Sequence, residues 1–212
     1  MNSIYNPLKL SVYRHLFRDK KVLSIGGGAV GSYVGENVTK MGSSVSLADF
    51  DTFRLENAAK HSGIVRTPED AGKNKAVISH GVDTDLCMLG PEVIAAYDVV
   101  ILCVDNFAAK ALFNELYMAI PAERRPIVIM DGTHDEMAQS VILDGKDFCV
   151  RCLLDEKWLK DGAVRTSCSG PQIREIDGEP EIVRTSGLAS SIAASLSAEQ
   201  YRAAVIGAEG VM

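Results

Sequence analysis

The segment KVLSIGGGAVGSYVGENVTKMGSSVSLAD, residues 21–49, constrains this chain more than any other. An apolar run over 22–25 meets glycines 26, 27, 28 and 31. A helical spacing through Val34, Val38 and Met41 then ends at Gly42. A second short run from Val45 closes on Asp49. Strand, glycine turn, helix and strand within about 30 residues make a βαβ unit, whose crossover is right-handed in nearly every case. Glycine permits the tight turn and lets backbone N–H groups approach a phosphate, which then sits on the positive end of the helix. GxGxxG falls on Gly26, Gly28 and Gly31, and Asp49 stands 23 residues beyond Gly26, where an acid can bind ribose hydroxyls. NAD, FAD and adenosine cofactors all fit this pattern. Glycines serving only close strand-to-helix packing are the plainer alternative.

The alternation continues downstream. A helix is predicted to start over 73–81, a short strand over 83–89, a buried strand over 98–104 and a helix over 106–119. PIVIMDG from Pro126 and MAQSVIL from Met137 read as two more strands. Alternating β and α implies an α/β, Rossmann-like, mostly parallel sheet with helices on both faces. Residues 145–185 are polar and glycine-rich, a long loop or small lobe, and 188–207 form a closing helix. Its alanines and serines predict close packing on the sheet or on a partner. At 212 residues the chain has room for one full domain spanning 1–212, with its nucleotide-binding half over about 20–130.

Net charge −6 argues against a sequence-independent grip on nucleic acid or an anionic membrane. No apolar run approaches the roughly 18 residues of a membrane span, and the first residues carry no secretory signal pattern. A cytoplasmic protein is expected. Five cysteines, an odd number, point to free thiols in a reducing compartment. Cys87 and Cys103 lie in apolar runs and read as small buried hydrophobes.

The stretch ADFDTFRLENAAKHSGIVRTPEDAGKNKA follows the βαβ unit, and CVDNF comes after the next buried strand. Together they resemble the ThiF/MoeB-type activating-enzyme superfamily, which includes ubiquitin-activating enzymes. That family carries D-x-D-x-V, N-L-x-R-Q/H, G-x-x-K-A and C-T-D-N motifs. Asp49, Asp51, Asn57, Lys60, His61, Gly72, Lys75, Ala76, Asp105 and Asn106 fall at the corresponding places. The resemblance runs over about 21–154 and returns at TSGLASSIAASLSA. It implies a single adenylation domain that joins a C-terminal carboxylate to the α-phosphate of ATP and expels pyrophosphate. By the same resemblance Asp49 would hold the ribose, Asn57 and Lys75 would contact phosphates, and Asp105 would hold magnesium. Lys60 occupies the usual arginine position, a point charge where the family has a two-pronged donor. The alternatives are a solvated basic face for the two lysines and a helix cap for Asp105.

Cys149 and Cys152 form a CxxC that resembles half of the family's structural zinc site, and no second CxxC follows. With Cys168 there are three thiols, where zinc takes four ligands; His134 and Asp147 are candidates for a fourth, and a partial or lost site competes with a filled one. Cys168 in TSCSG is a candidate nucleophile towards an acyl-adenylate; an inert loop cysteine is the alternative. The implied partners are a small ubiquitin-like or sulfur-carrier protein with a Gly-Gly tail and a second copy of the chain. Three other functions compete: an NAD(P)-dependent oxidoreductase, a family member acting on a modified tRNA nucleoside, and a catalytically silent scaffold.

Overall fold

The computed structural model describes residues 14–62, 68–75, 82–83, 86–134, 137–143, 145, 149–153, 172–176, 179–183 and 187–208. Six strands form one sheet: β1 (Lys21–Ile25), β2 (Ser44–Asp49), β3 (Val82–Asp83), β4 (Val99–Leu102), β5 (Ile127–His134) and β6 (Met137–Leu143). Their spatial order is β3-β2-β1-β4-β5-β6. All neighbouring pairs are parallel except β5 with β6, which is antiparallel. A second, two-stranded antiparallel sheet pairs β7 (Gln172–Ile176) with β8 (Glu179–Val183), within the stretch read as a loop or small lobe.

Strand β4 explains the layering. All four residues of VVIL are buried, as a parallel strand covered on both faces requires. Val100 and Leu102 pack with Phe113 and Tyr117 of α2 (Phe107–Met118). Val99 and Ile101 face the opposite way, onto Val34 and Val38 of α1 (Ala29–Met41) and Ala194 and Tyr201 of α3 (Gly187–Ala208). Enclosing each such side chain contributes about 1.5–3 kcal/mol, so β4 ties both layers together. The small residues of α3 do settle a helix closely: Ala189, Ala193, Ala194, Ser197 and Ala198 are buried. Tyr201 locks it down, edge-on to Phe17 and hydrogen-bonded to Ser43 Oγ at 2.5 Å.

One expectation needs correction. Among the described residues the strand read over 83–89 pairs at Val82–Asp83, opposite Ala48 and Asp49 at the end of β2. Leu86–Met88 instead turns as a 3-10 helix, burying Leu86 and Leu89 and exposing Met88. The helix read over 73–81 is entered at Lys75, and 76–81 lie outside the described residues. Among the described residues no helix is long and apolar enough to cross a membrane.

Candidate functional site

The strand order reverses between β1 and β4, which lie side by side with Ile25 opposite Leu102. Open parallel sheets bind ligands in the crevice at that reversal, beyond the carboxyl ends of the strands. The glycine turn leaves β1 there, and residues 103–106 leave β4 beside it. Gly26 takes φ +98°, a left-handed conformation that favours glycine, and an added Cβ would meet the Cys103 carbonyl at 2.9 Å. Gly31 is more tightly held, since a Cβ there would lie 1.8 Å from the Gly26 carbonyl oxygen. Gly28 opens α1 with no side-chain cap and with open space where a Cβ would stand. No acidic residue occupies the first turn of α1. An uncapped helix start facing open space suits an anion. Gly31→Ala should therefore cost about 3 kcal/mol and collapse the turn. Thermal unfolding would register this as a lower midpoint, and an unchanged midpoint would contradict it.

Asp49 ends β2 against this turn. Its Oδ2 accepts the Gly27 N–H at 2.5 Å and its Oδ1 accepts the Asp51 N–H at 2.7 Å. Burial raises its pKa above the usual carboxylate value; the two N–H donors and Lys75 oppose that rise. The chain then zips onto a later segment. Phe53 N–H donates to the Lys73 carbonyl, Gly72 N–H to the Phe53 carbonyl and Lys75 N–H to the Asp51 carbonyl. Asn74 Nδ2 donates to the Asp49 carbonyl at 3.1 Å. This pairing buries Lys75, 4% exposed, with its Nζ 3.0 Å from Asp51 Oδ2. Lys75 is thus no solvated surface lysine. Lys75→Met would leave a partly buried carboxylate without its cation, at about 2 kcal/mol after allowing for the water that still reaches Asp51. Urea unfolding at pH 7 should show that loss; an unchanged midpoint would speak against the pair's importance.

Lys60 ends the 3-10 turn Leu55–Lys60 and is half-buried; the backbone of Asn57 runs through the same turn. Asp105 is exposed, just beyond the end of β4. It does not cap the following helix: Asn106 is the N-cap, its Oδ1 accepting the Ala109 N–H at 2.7 Å. Asp105 lies where β4 opens onto the crevice, and its charge acts on Lys110 of α2. Magnesium takes one or two carboxylates together with phosphate oxygens and water, so Asp105 beside an uncapped helix start fits that ion. Among the described residues no three His, Cys, Asp or Glu gather to hold a metal. Cys149 and Cys152, with sulfurs 3.5 Å apart, would supply two of zinc's four ligands, and the described residues bring no others to them. Cys168 lies outside the described residues.

The sequence reading missed Asp131. It sits on β5, 3% exposed, one strand away from the crevice. Ser197 of α3 donates to its Oδ1, and the Cys103 thiol lies 3.4 Å from its Oδ2. Burial pushes its pKa up to about 7, against hydrogen bonds from Cys103 and Ser140 and the charge of Lys110. Lys110 of α2 is also buried and its pKa is lowered by burial, which Asp105 and Asp131 oppose. Cys103 is held well above the usual thiol value by burial and by Asp131, so it is no thiolate nucleophile. The signal available was an aspartate ending the otherwise apolar run PIVIM.

A family model described as Ketopantoate reductase PanE/ApbA matches residues 22–164. No curated protein sequence matches the chain. Among solved structures, a crystal structure of E. coli MccB with AMPCPP and MccA superposes with TM-score 0.64 at 15% identity, covering 91% of this chain and 57% of that one. PaaA gives 0.66 at 17% identity, with 92% and 67% covered. TcdA (CsdL) gives 0.65 at 16% identity, with 94% and 91% covered. These likenesses show the fold, and the chain spans little more than half the length of MccB.

Proposed function

The chain belongs to the Ketopantoate reductase PanE/ApbA family, and from that Rossmann-like premise we propose an ATP-dependent adenylyltransferase that activates the C-terminal carboxylate of a small protein or peptide. A fold of this kind hosts several chemistries, so the site must choose between them. The observation that carries the reading is the acid at the end of β2. Asp49, buried against the glycine turn, suits ribose hydroxyls and opposes the 2′-phosphate of NADPH. Asp105 across the reversal supplies a further carboxylate that a reaction on a magnesium-bound triphosphate can use.

In this reading the start of α1 offsets phosphate charge, and Lys75, Lys60 and Asn57 are assigned phosphate contacts on the motif resemblance. Asp105 holds magnesium, which would neutralise charge developing on the departing pyrophosphate. Asp49 fixes the ribose so that the α-phosphate faces an incoming carboxylate. The crystal structure of MccB with MccA and an ATP analogue supports a peptide substrate; a Gly-Gly tail is the form proposed here. Leu188, Ile192 and Leu196 stand exposed at successive turns of α3 and support a homodimer.

The family match favours a second reading, an NADPH-dependent reductase. Titration calorimetry with ATP–magnesium, NADH and NADPH separates the two. ATP is expected to bind at least tenfold more tightly than NADPH. NADPH binding more tightly than ATP would overturn the adenylyltransferase reading in favour of the reductase.

A further inference from the structure

The CxxC turn carries an inference independent of the nucleotide chemistry. Cys149 precedes and Cys152 lies within the 3-10 turn Val150–Leu153, whose spacing of three residues per turn brings positions i and i+3 onto one edge. The two sulfurs stand 3.5 Å apart. The turn is held from both sides of the pair. Cys152 N–H donates to the Cys149 carbonyl at 3.0 Å, Val150 is fully buried, and Arg151 N–H donates to Asn114 Oδ1 of α2 at 3.1 Å. Cys152 is exposed and Cys149 half-buried. Metal ligation of this pair would need two further ligands, and no such cluster gathers among the described residues.

We propose that Cys149 and Cys152 form a redox-active dithiol that closes to a disulfide by exchange with a low-molecular-weight disulfide such as oxidised glutathione. The exposed Cys152 sulfur, as thiolate, attacks one sulfur of the incoming disulfide and expels the first thiol. Cys149 then gives up its proton, attacks the Cys152 sulfur of the mixed disulfide and expels the second. Two electrons pass to the small disulfide, which leaves as two thiols, and the chain loses two hydrogens. Anchoring by Val150 and Asn114 holds the sulfurs 3.5 Å apart, so closing to the roughly 2 Å of a disulfide asks for a short approach.

Intact-mass and peptide-mass analysis of the whole chain, equilibrated in mixtures of reduced and oxidised glutathione, tests the proposal. Loss of two hydrogens, with the bond mapped to Cys149–Cys152, is expected in most chains at equal concentrations. Cys149→Ser should trap a glutathione adduct on Cys152, whereas Cys152→Ser should form one at Cys149 at least tenfold more slowly. Both thiols remaining free in tenfold excess oxidised glutathione would overturn the dithiol. So would one zinc per purified chain, lost on Cys149→Ser, since that pair would then be a structural ligand set.

Discussion

Replacing Asp105 by alanine is expected to lower ATP–pyrophosphate exchange by roughly two to three orders of magnitude, the scale of losing one preorganised electrostatic group. It lies just beyond the carboxyl end of β4, and the cap of the next helix belongs to Asn106. Removing Asp105 therefore leaves the helix start intact and takes away a charge-handling group. ATP affinity should fall far less, because the glycine turn, Asp49 and the start of α1 all remain. Groups that act mainly in the transition state reduce rate more than ground-state binding. Exchange at near-normal rate would place the metal-holding carboxylate elsewhere.

The second large effect belongs to Asp131, and it is a matter of stability. Its carboxyl titrates near 7 in the folded chain against an ordinary value of 3.8. Between those values the folded state holds a proton that the unfolded state has released. Stability therefore falls as pH rises from about 4 to about 7 and levels off above, by up to about 4 kcal/mol. Asp131→Asn keeps an acceptor for Ser197 and removes the titration. Urea unfolding should show the wild type losing stability between pH 5 and pH 8 while the variant changes little across that range. A wild type as stable at pH 8 as at pH 5 would mean that Lys110, Ser140 and Ser197 hold the ionised carboxylate comfortably.

The βαβ unit was legible because its two periods and its glycines are local properties. The turn at Gly26, the stop at Gly42 and the acid at the end of β2 all follow within 29 residues of sequence. Strands β4, β5 and β6 and helices α2 and α3 were legible for the same reason. Asp131 was not, because its burial is imposed by Ser197, 66 residues away, and by Cys103, 28 residues away. A lone aspartate closing a strand reads as a solvated end until the topology lays α3 over it. Lys75 was placed near phosphates by resemblance, but its burial against Asp51 depends on the pairing of residues 51–53 with 72–75. The strand after β2 was overread, since an apolar 86–89 has the same composition whether it alternates or turns.

Adenylyl transfer itself is tested most directly by exchange of labelled pyrophosphate into ATP. The whole chain is incubated with magnesium and a small protein ending in Gly-Gly, beside the same protein with its C-terminal glycine removed. The account predicts exchange that depends on the intact tail and is lost in Asp105→Ala. No exchange with any carboxylate-bearing partner, together with oxidation of NADPH by the same preparation, would contradict it.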